Sequence, residues 1–388
     1  MSQTPPRIPA RVAVLFGGPS PEHDVSVLTG LQAVRGLAGV EGVREILPLY
    51  WSKTGDWFSV GGDLEATAFL DGQPEGARRA ELVLGREGGF VVRRGGLRAR
   101  GERLGIDVAL VCCHGGPGED GALQGAMDLA GIAYTGPDAA GAAIGMDKLS
   151  FGALVRAAGL PALERVLLLA EPSELGFDGP YILKPRFGGS SIGIDVVADL
   201  DTARARLAAN VHLRRGAVVE PYRPELFDLQ VAVRTWPALE LSAIERPLRA
   251  AEAGRSGDGA RGEILDYRDK YVGSEGMASA PRELPASLPA ELAARLRSAA
   301  EGVARLVGAR GVLRVDFLSD GESLYVNEVN TIPGSLSRHL FVDPSLPFPV
   351  LLSGLLAESL ERPAARLSSA GADGSVLRSA GSIAAKLA

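Results

Sequence analysis

The chain has 388 residues, which is longer than one typical hydrophobic core, so we expect roughly two or three domains. Its formal net charge of −6 argues against a broad cationic surface, and we therefore expect no nucleic-acid partner. No apolar run approaches the length of a membrane span, and the only two cysteines, Cys112 and Cys113, are adjacent. These features predict a protein of a reducing compartment, cytoplasmic and without a membrane partner.

The N-terminal third alternates between apolar strands, glycine-rich loops and helices. A buried strand is predicted over 12–16 and is followed by a helix over 25–37; a second strand over 108–112 is followed by a helix over 122–130. This alternation predicts an α/β domain with a parallel sheet, whose ligand-facing loops lie at the carboxyl ends of the strands. We place this domain at residues 1–137.

A second domain with mixed helices and strands is predicted after Pro137. A helix is predicted over 139–158, and strands follow it. Residues 249–263 have few apolar anchors and predict a mobile loop. The Ser-, Ala- and Gly-rich composition beyond Pro363 predicts a weakly ordered tail, which we place at 362–388.

Two strand-like runs late in the chain carry a group of polar side chains. Arg314 and Asp316 lie in the first run, and Glu328 and Asn330 share one face of the second. Asp316, Glu328 and Asn330 offer hard oxygen ligands that suit Mg²⁺. Arg314 adds a fixed cation for a developing negative charge. The pattern favours an ATP-using enzyme, and the alternative is a hairpin whose charges are only solvated.

A strand that ends in Lys184 is followed by a glycine- and serine-rich loop over 188–193. The backbone N–H groups and the hydroxyls of Ser190 and Ser191 could surround phosphate oxygens. Lys148, at a predicted helix start, could direct a second ammonium group at the same phosphates. The loop lacks the Gly-Lys-Ser/Thr of a Walker loop, so a simple glycine-rich turn is the alternative.

Further candidates lie at the ends of strands. Glu220 ends an apolar run, and with Pro221, Tyr222 and Arg223 it could contact an adenine edge and sugar hydroxyls. The alternative is a solvated strand end.

Glu22 and His114 each follow a predicted buried strand of the first domain. Glu22 could meet a substrate ammonium group, or it could simply cap the following helix. His114 could contribute to a site, or it could satisfy local backbone groups.

In their order along the chain, these segments resemble the D-alanine:D-alanine ligases of the ATP-grasp superfamily. The resemblance extends to about residue 361 and rests on seven segments: Gly17 to Ser26, His114 to Gly125, Met146 to Lys148, Lys184 to Gly193, Asp266 to Tyr271, Arg314 to Asp316, and Asn327 to Gly334. It implies a Rossmann-like N-terminal domain followed by an ATP-grasp fold of two α+β subdomains, 138–228 and 229–361. It also implies a lid over 249–275.

The same resemblance implies an ATP-dependent ligation in two steps that serves peptidoglycan precursor synthesis. ATP phosphorylates the carboxylate of one D-alanine, and the amine of a second D-alanine then attacks the acyl phosphate. Two Mg²⁺ ions are implied, with Mn²⁺ as a substitute, and relatives suggest a homodimer. A ligase with another second substrate, a nucleotide-binding protein without activity, and a carboxylase-like subunit are the rival hypotheses.

Residue roles are carried over from the family motifs. The nucleotide would be bound by Lys148, Lys184, Ser190, Ser191, Glu220, Pro221, Tyr222, Arg223, Lys270 and Asn327, with Asp228 at the ribose and Glu225 as its competitor. The catalytic residues would be Glu22, Ser190, Tyr271, Arg314 and Gly334, with Arg314 and the backbone of Gly334 at the oxyanion. The substrates would be bound by Glu22, His114, Arg314, Gly334, His339 and Leu340. The metal ions would be held by Asp316, Glu328 and Asn330.

Two positions bear on the second substrate. His339 stands where many relatives have a serine, so the second substrate is left open. Relatives that make a D-alanyl-D-lactate ester commonly have histidine where this chain has Tyr271, so Tyr271 favours an amine nucleophile.

Overall fold

The computed structural model describes residues 7–85, 87–93, 101–171, 175–248, 281–364, 368–383 and 386. The predicted lid over 249–275, with Lys270 and Tyr271, lies outside these residues.

The N-terminal sheet combines a parallel half with an antiparallel half. Its strands β1 to β7 span Arg11–Gly17, Glu45–Trp51, Trp57–Ser59, Arg78–Val83, Gly89–Val92, Glu102–Arg103 and Val108–Val111. The spatial order is β6-β5-β4-β3-β2-β1-β7. Strand β1 pairs in parallel with β2 and β7, which confirms the predicted parallel sheet. Strands β2 to β6 are antiparallel neighbours, and they extend the sheet on one side.

Three helices of this domain follow the strand ends. They are α1 (His23–Leu37), α2 (Gly116–Glu119) and α3 (Ala122–Ala130). Helix α1 packs closely on β1, because a Cβ atom at Gly30 would lie 2.3 Å from Cβ of Phe16. Glycine is therefore needed at position 30 for this close approach.

The single helix predicted over 139–158 is two helices, α4 (Ala139–Met146) and α5 (Lys148–Ala157). Asp147 separates them with an extended ψ of 98°. Its carboxylate accepts hydrogen bonds from the backbone N–H groups of Leu149 and Ser150 and so caps α5. Lys148 is consequently the first residue of a helix, as predicted.

Two antiparallel sheets follow. Strands β8 to β17 span Val166–Leu167, Tyr181–Pro185, Asp195–Val197, Ala217–Pro221, Phe227–Arg234, Glu240–Leu241, Arg246–Pro247, Arg282–Glu283, Val312–Ser319 and Leu324–Asn330. The second sheet has the order β10-β9-β11-β8, the third has the order β13-β12-β16-β17, and β14 pairs with β15.

Further helices pack on these sheets or join them to the first domain, and the last of them, in the tail, buries none of its residues. They are α6 (Leu200–Ala209), α7 (Ala290–Leu306), α8 (Phe348–Glu361) and α9 (Ser375–Ser379). Phe151 and Val155 of α5 lie in the core of the third sheet with α7. Helix α8 instead packs into the core of the N-terminal domain. Within the described part of the chain, no helix is both long and apolar enough to span a bilayer.

Candidate active site

A cleft lies between the second and third sheets. Both sheets and the start of α5 contribute side chains to it, so the fold brings together segments that are far apart in the sequence. The predicted nucleotide and metal residues that line it are Lys148, Lys184, Ser191, Glu220, Pro221, Tyr222, Arg223, Asp228, Asp316, Asn327 and Glu328. Asp228 lies in the cleft wall, whereas Glu225 is half-exposed and lies 3.7 Å from Arg223.

Glu220 is a buried carboxylate between two cations. Its side chain is 1% exposed, so the interpretation as a solvated strand end is wrong. Lys184 Nζ donates to Glu220 Oε2 at 2.8 Å and to Asn327 Oδ1 at 3.0 Å. Burial lowers the pKa of Lys184, while the charge of Glu220 opposes that shift.

The second cation on Glu220 is Arg165, which sequence reasoning missed. Its Nε donates to Glu220 Oε1 at 2.6 Å, and its other two nitrogens donate to the backbone oxygens of Lys148 and Asn327 at 2.7 and 2.9 Å. The partners are 55, 17 and 162 residues away along the chain. No local pattern around Arg165 therefore indicated its role.

The hairpin of β16 and β17 presents the predicted metal ligands on one face. Asp316 pairs with Glu328, and Arg314 pairs with Asn330. A β-bulge follows, because the next paired residues are Phe317 and Val326, and Asn327 is left without a partner in the ladder. A bulge changes the direction of a side chain, and Asn327 accordingly lines the cleft together with Glu328.

Arg314 and Asp316 are buried, Glu328 is partly buried, and all three charges are paired, so the interpretation as a solvated hairpin is wrong. Two nitrogens of Arg314 donate to the two oxygens of Asp316 at 2.6 and 2.7 Å, and Asn330 Nδ2 donates to Asp316 Oδ2 at 3.1 Å. Lys148 Nζ lies 3.3 Å from Glu328 Oε2.

Two carboxylates and an amide on adjacent strands fit a hard divalent cation that also binds phosphate oxygens. Among the described residues no cluster of three His, Cys, Asp or Glu side chains forms a metal site by itself. The candidate metal site of Asp316 and Glu328 therefore needs the amide oxygen of Asn330 as its third ligand.

The glycine loop after β9 connects the cleft to the N-terminal domain. Ser190 and Ser191 adopt left-handed φ angles of 53° and 58°. The Ser190 hydroxyl donates to Glu22 Oε1. A Cβ atom at Gly189 would lie 2.7 Å from Glu22 Oε2, so a glycine is required for this approach. Glu22 makes no side-chain cap on α1, and the capping interpretation is wrong.

Side chains of the N-terminal domain hold the segment 331–335, which follows β17. His114 Nδ1 lies 2.7 Å from the Ile332 carbonyl oxygen, and its Nε2 lies 2.8 Å from Thr29 Oγ1. These partners are 218 and 85 residues away, so the interpretation of His114 as satisfying only local groups is wrong. Burial lowers the pKa of His114 to about 4.

Glu119 is a second buried group that contacts this segment. Its Oε1 accepts from Thr331 Oγ1 at 3.2 Å and from Ile332 N at 2.9 Å, and its Oε2 accepts from Gly115 N. Burial, with the charge of Glu22 next, raises the pKa of Glu119 to about 7. Glu119 lies beside Gly118 in a segment shared with the family, and this position could have indicated a functional role. No role was assigned to it from the sequence.

The segment continues as a turn over Gly334–Leu340, in which Gly334 and Leu340 are buried. His339 lies at the end of this turn, and its Nε2 is 3.6 Å from Glu245 Oε2. Arg282 donates to the other oxygen of Glu245 at 2.8 Å. Burial alone would raise the pKa of Glu245, but its interactions with His339 and the charge of Arg282 lower it.

A cleft between two sheets, with Lys184 on the second sheet, Lys148 at the start of α5 and the metal-ligand candidates on the third sheet, is the architecture of an ATP-grasp protein. Solved structures share this fold. D-alanyl-alanine synthetase A from Vibrio cholerae matches with a TM-score of 0.71 and 21% identity over 92% of this chain and 99% of that chain. The VanG D-Ala:D-Ser ligase from Enterococcus faecalis matches with a TM-score of 0.70 and 24% identity over 90% of this chain and 99% of that chain.

Sequence comparisons define the family more closely. The model of the D-ala D-ala ligase N-terminus matches residues 11–137, and that of the D-ala D-ala ligase C-terminus matches residues 142–345. Similar curated relatives are the D-alanine–D-alanine ligases of Mycolicibacterium vanbaalenii, 30% identical over 91% of this chain and 97% of the relative, and Bradyrhizobium sp. (strain ORS 278), 31% identical over 91% and 96%. The chain belongs to the D-Ala–D-Ala ligase family, whose members are ATP-dependent enzymes that form a carbon–nitrogen bond.

Proposed function

We propose that this protein joins two molecules of D-alanine into D-alanyl-D-alanine at the expense of ATP, for peptidoglycan precursor synthesis. The observation that carries the proposal is the contact between Ser190 and Glu22. It places a carboxylate of the N-terminal domain against the loop that borders the nucleotide cleft, where the ammonium group of a first D-alanine would find a partner.

The nucleotide would lie between the second and third sheets. Lys148 and Lys184, with the loop of Ser190 and Ser191, would bind phosphate oxygens, because the two lysines and residues of this loop line the cleft. Beside Lys184, Glu220 and Pro221 to Arg223 would contact the adenine, Asp228 would contact the ribose, and Asn327 would complete the wall. Lys270 would approach the γ-phosphate.

Asp316, Glu328 and Asn330 would hold two Mg²⁺ ions, for which Mn²⁺ could substitute. The bound ions would neutralise phosphate charge during transfer. The ion pairs of Asp316 with Arg314 and of Glu328 with Lys148 hold both carboxylates on one face of the hairpin.

The chemistry would proceed in two transfers. An oxygen of the first D-alanine carboxylate attacks the γ-phosphorus, so that ADP leaves and an acyl phosphate forms. The neutral amine of the second D-alanine then attacks the acyl carbon, phosphate leaves, and the nitrogen gives up its extra proton. Closure by the predicted lid over 249–275 would protect the acyl phosphate from water.

The protein's own groups would orient these steps. Glu22, Ser190 and Tyr271 would position the first D-alanine, with His114 holding the neighbouring backbone. Arg314 and the backbone N–H of Gly334 would donate to the oxyanion of the tetrahedral intermediate.

The test is ADP release with D-alanine added or withheld, combined with mass spectrometry of the product. We expect ADP release to depend on D-alanine and the product to be the dipeptide. Release without D-alanine dependence would favour a different substrate, and absence of ATP binding would overturn the proposal.

A second candidate is the same ligation with D-lactate or another amino acid as the second substrate. It is favoured by His339, which lies at the end of the turn over Gly334–Leu340 and pairs with buried Glu245. An imidazolium at this position would change how a second carboxylate is bound, together with Leu340 beside it.

Rates with D-alanine, D-serine and D-lactate, measured across pH for the wild type and for His339→Ser, separate these candidates. We expect D-alanine to be preferred and the substitution to change the KM for the second substrate and its pH dependence. Identical pH profiles of the two proteins would dismiss a role for His339.

A homodimer and a cytoplasmic location complete the proposal, because relatives suggest the first and the use of ATP suggests the second. Light scattering after gel filtration would measure the oligomeric state. A monomer at the protein concentration of the activity assay would contradict the proposed homodimer.

A further inference from the structure

Three buried charges form a chain in the wall of the cleft. Arg165 Nε lies 2.6 Å from Glu220 Oε1, and Lys184 Nζ lies 2.8 Å from Glu220 Oε2. The three side chains are between 1% and 6% exposed, so water does not screen them appreciably. Their charges sum to one positive charge, and they sum to zero without Arg165.

We propose that Arg165 is a positioning residue that compensates the charge of Glu220, so that the ammonium group of Lys184 is available to a nucleotide phosphate; this rests on the proposed binding of ATP. Without Arg165, Lys184 and Glu220 would form a neutral buried pair. Such a pair attracts phosphate far less than a group with a net positive charge.

The other two nitrogens of Arg165 add a geometric contribution. They donate to the carbonyl oxygens of Lys148 and Asn327, which belong to α5 and β17. One guanidinium group therefore links β11, α5 and β17, three segments that border the cleft. Lysine at this position would carry the charge but could not reproduce the planar fork.

The Arg165→Met variant separates this role from general support of the fold. ATP and adenosine binding are measured by calorimetry without D-alanine, and the ratio of their affinities is compared between proteins. We expect the ratio to fall about tenfold in Arg165→Met, the scale of one charge-assisted hydrogen bond. An equal loss for ATP and adenosine would overturn the inference, because adenosine carries no phosphate.

A compensating substitution gives the sharper result. Arg165→Met combined with Glu220→Gln again leaves one positive charge, that of Lys184, so we expect the ATP-to-adenosine ratio to return to within about threefold of wild type. A ratio that stays low in the double variant would overturn charge compensation as the mechanism.

Two further proteins complete the design. Arg165→Lys keeps the charge and loses the planar fork. Because the fork shapes the cleft for ATP and adenosine alike, we expect both affinities to fall and their ratio to be kept, and a fall of the ratio as large as in Arg165→Met would contradict the inference. This variant serves if the methionine variant does not fold. Arg305→Met with Glu301→Gln removes an exposed ion pair of 2.8 Å on α7 and is the matched control. Failure of the wild type to bind ATP would overturn the proposed function instead.

Discussion

Arg314 illustrates how the surroundings of one residue define its chemistry. The carboxylate of Asp316 holds two of its nitrogens, so the planar group is fixed beside the proposed metal ligands. A fixed donor stabilises a developing charge without the cost of reorganising at the moment of reaction.

We therefore expect Arg314→Ala to retain ATP binding and to lower turnover by at least ~100-fold, the effect of losing one oxyanion donor. Calorimetry gives the binding and ADP release gives the turnover. Arg305→Ala, on an exposed part of α7, is the control for removal of an arginine. Unchanged turnover in Arg314→Ala would contradict the assignment.

His114 predicts a pH dependence of stability. Its pKa is lowered by burial from 6.5 to about 4, so the unfolded chain binds a proton more tightly than the folded protein. The associated stability, about 3 kcal/mol, is fully present above pH 6.5 and is lost as the pH falls towards 4.

Urea unfolding of the wild type and of His114→Gln at pH 7.5 and pH 5 measures how much of the free energy of unfolding is lost on acidification. Between these pH values we expect the wild type to lose about 2 kcal/mol more than the variant does. His212→Gln, at an exposed histidine, should track the wild type. Parallel losses in wild type and His114→Gln would show that His114 does not titrate differently on folding.

At the scale of elements, the glycine loop is positioned by close packing as much as by its flexibility. Gly189 approaches the carboxylate of Glu22 so closely that a methyl group would lie 2.7 and 2.9 Å from its two oxygens. A methyl group at Gly188 would meet Pro185 Cβ at 3.5 Å, an ordinary contact.

Gly189→Ala should therefore displace Glu22 from Ser190 and raise the KM for D-alanine by about tenfold or more, the scale of a lost charge-assisted hydrogen bond. Steady-state kinetics with saturating ATP gives the value. Gly188→Ala is the matched comparison and should have a clearly smaller effect. Equal effects of the two substitutions would indicate a response of the whole loop and would contradict the role of the Glu22 contact.

Most elements near the site were predictable because their signals are local. The apolar run of β1, the helix start at Lys148 and the shared face of Glu328 and Asn330 all follow from neighbouring residues. A helix start at Lys148 was predicted, but the helix predicted over 139–158 ran through it, because the residues on both sides of Asp147 favour helix while the capping bonds of Asp147 favour an interruption. The bulge at Asn327 depends on how β16 and β17 pair, and the sequence of either strand alone does not indicate it.

At the scale of the whole molecule, a helix from late in the chain packs against the N-terminal domain. Helix α8 lies in the core of the N-terminal domain, where Leu352 Cδ1 would be 2.8 Å from a methyl group at Gly36 of α1. Ala232 and Val312 of the third sheet belong to the same core, so the N-terminal domain and the third sheet share it. The separate boundaries predicted for the domains remain a prediction.

This packing predicts that Leu352→Ala lowers the free energy of unfolding by about 3 kcal/mol, as for other buried leucines. Leu377→Ala, on α9, is the matched control; Leu377 is 80% exposed and its loss should change stability by less than about 0.5 kcal/mol. Chemical denaturation measures both. Similar values for the two variants would contradict the placement of α8.

The sequence by itself determined the strand and helix pattern and the residues that belong to an ATP-dependent ligase, because periodicity and short motifs are written in adjacent positions. Which charged side chains form ion pairs was decided only by the tertiary structure. Arg165 with Glu220, Glu119 with Ile332, and His339 with Glu245 are contacts between distant segments, and the burial that raises the pKa of Glu119 arises only when these segments pack together.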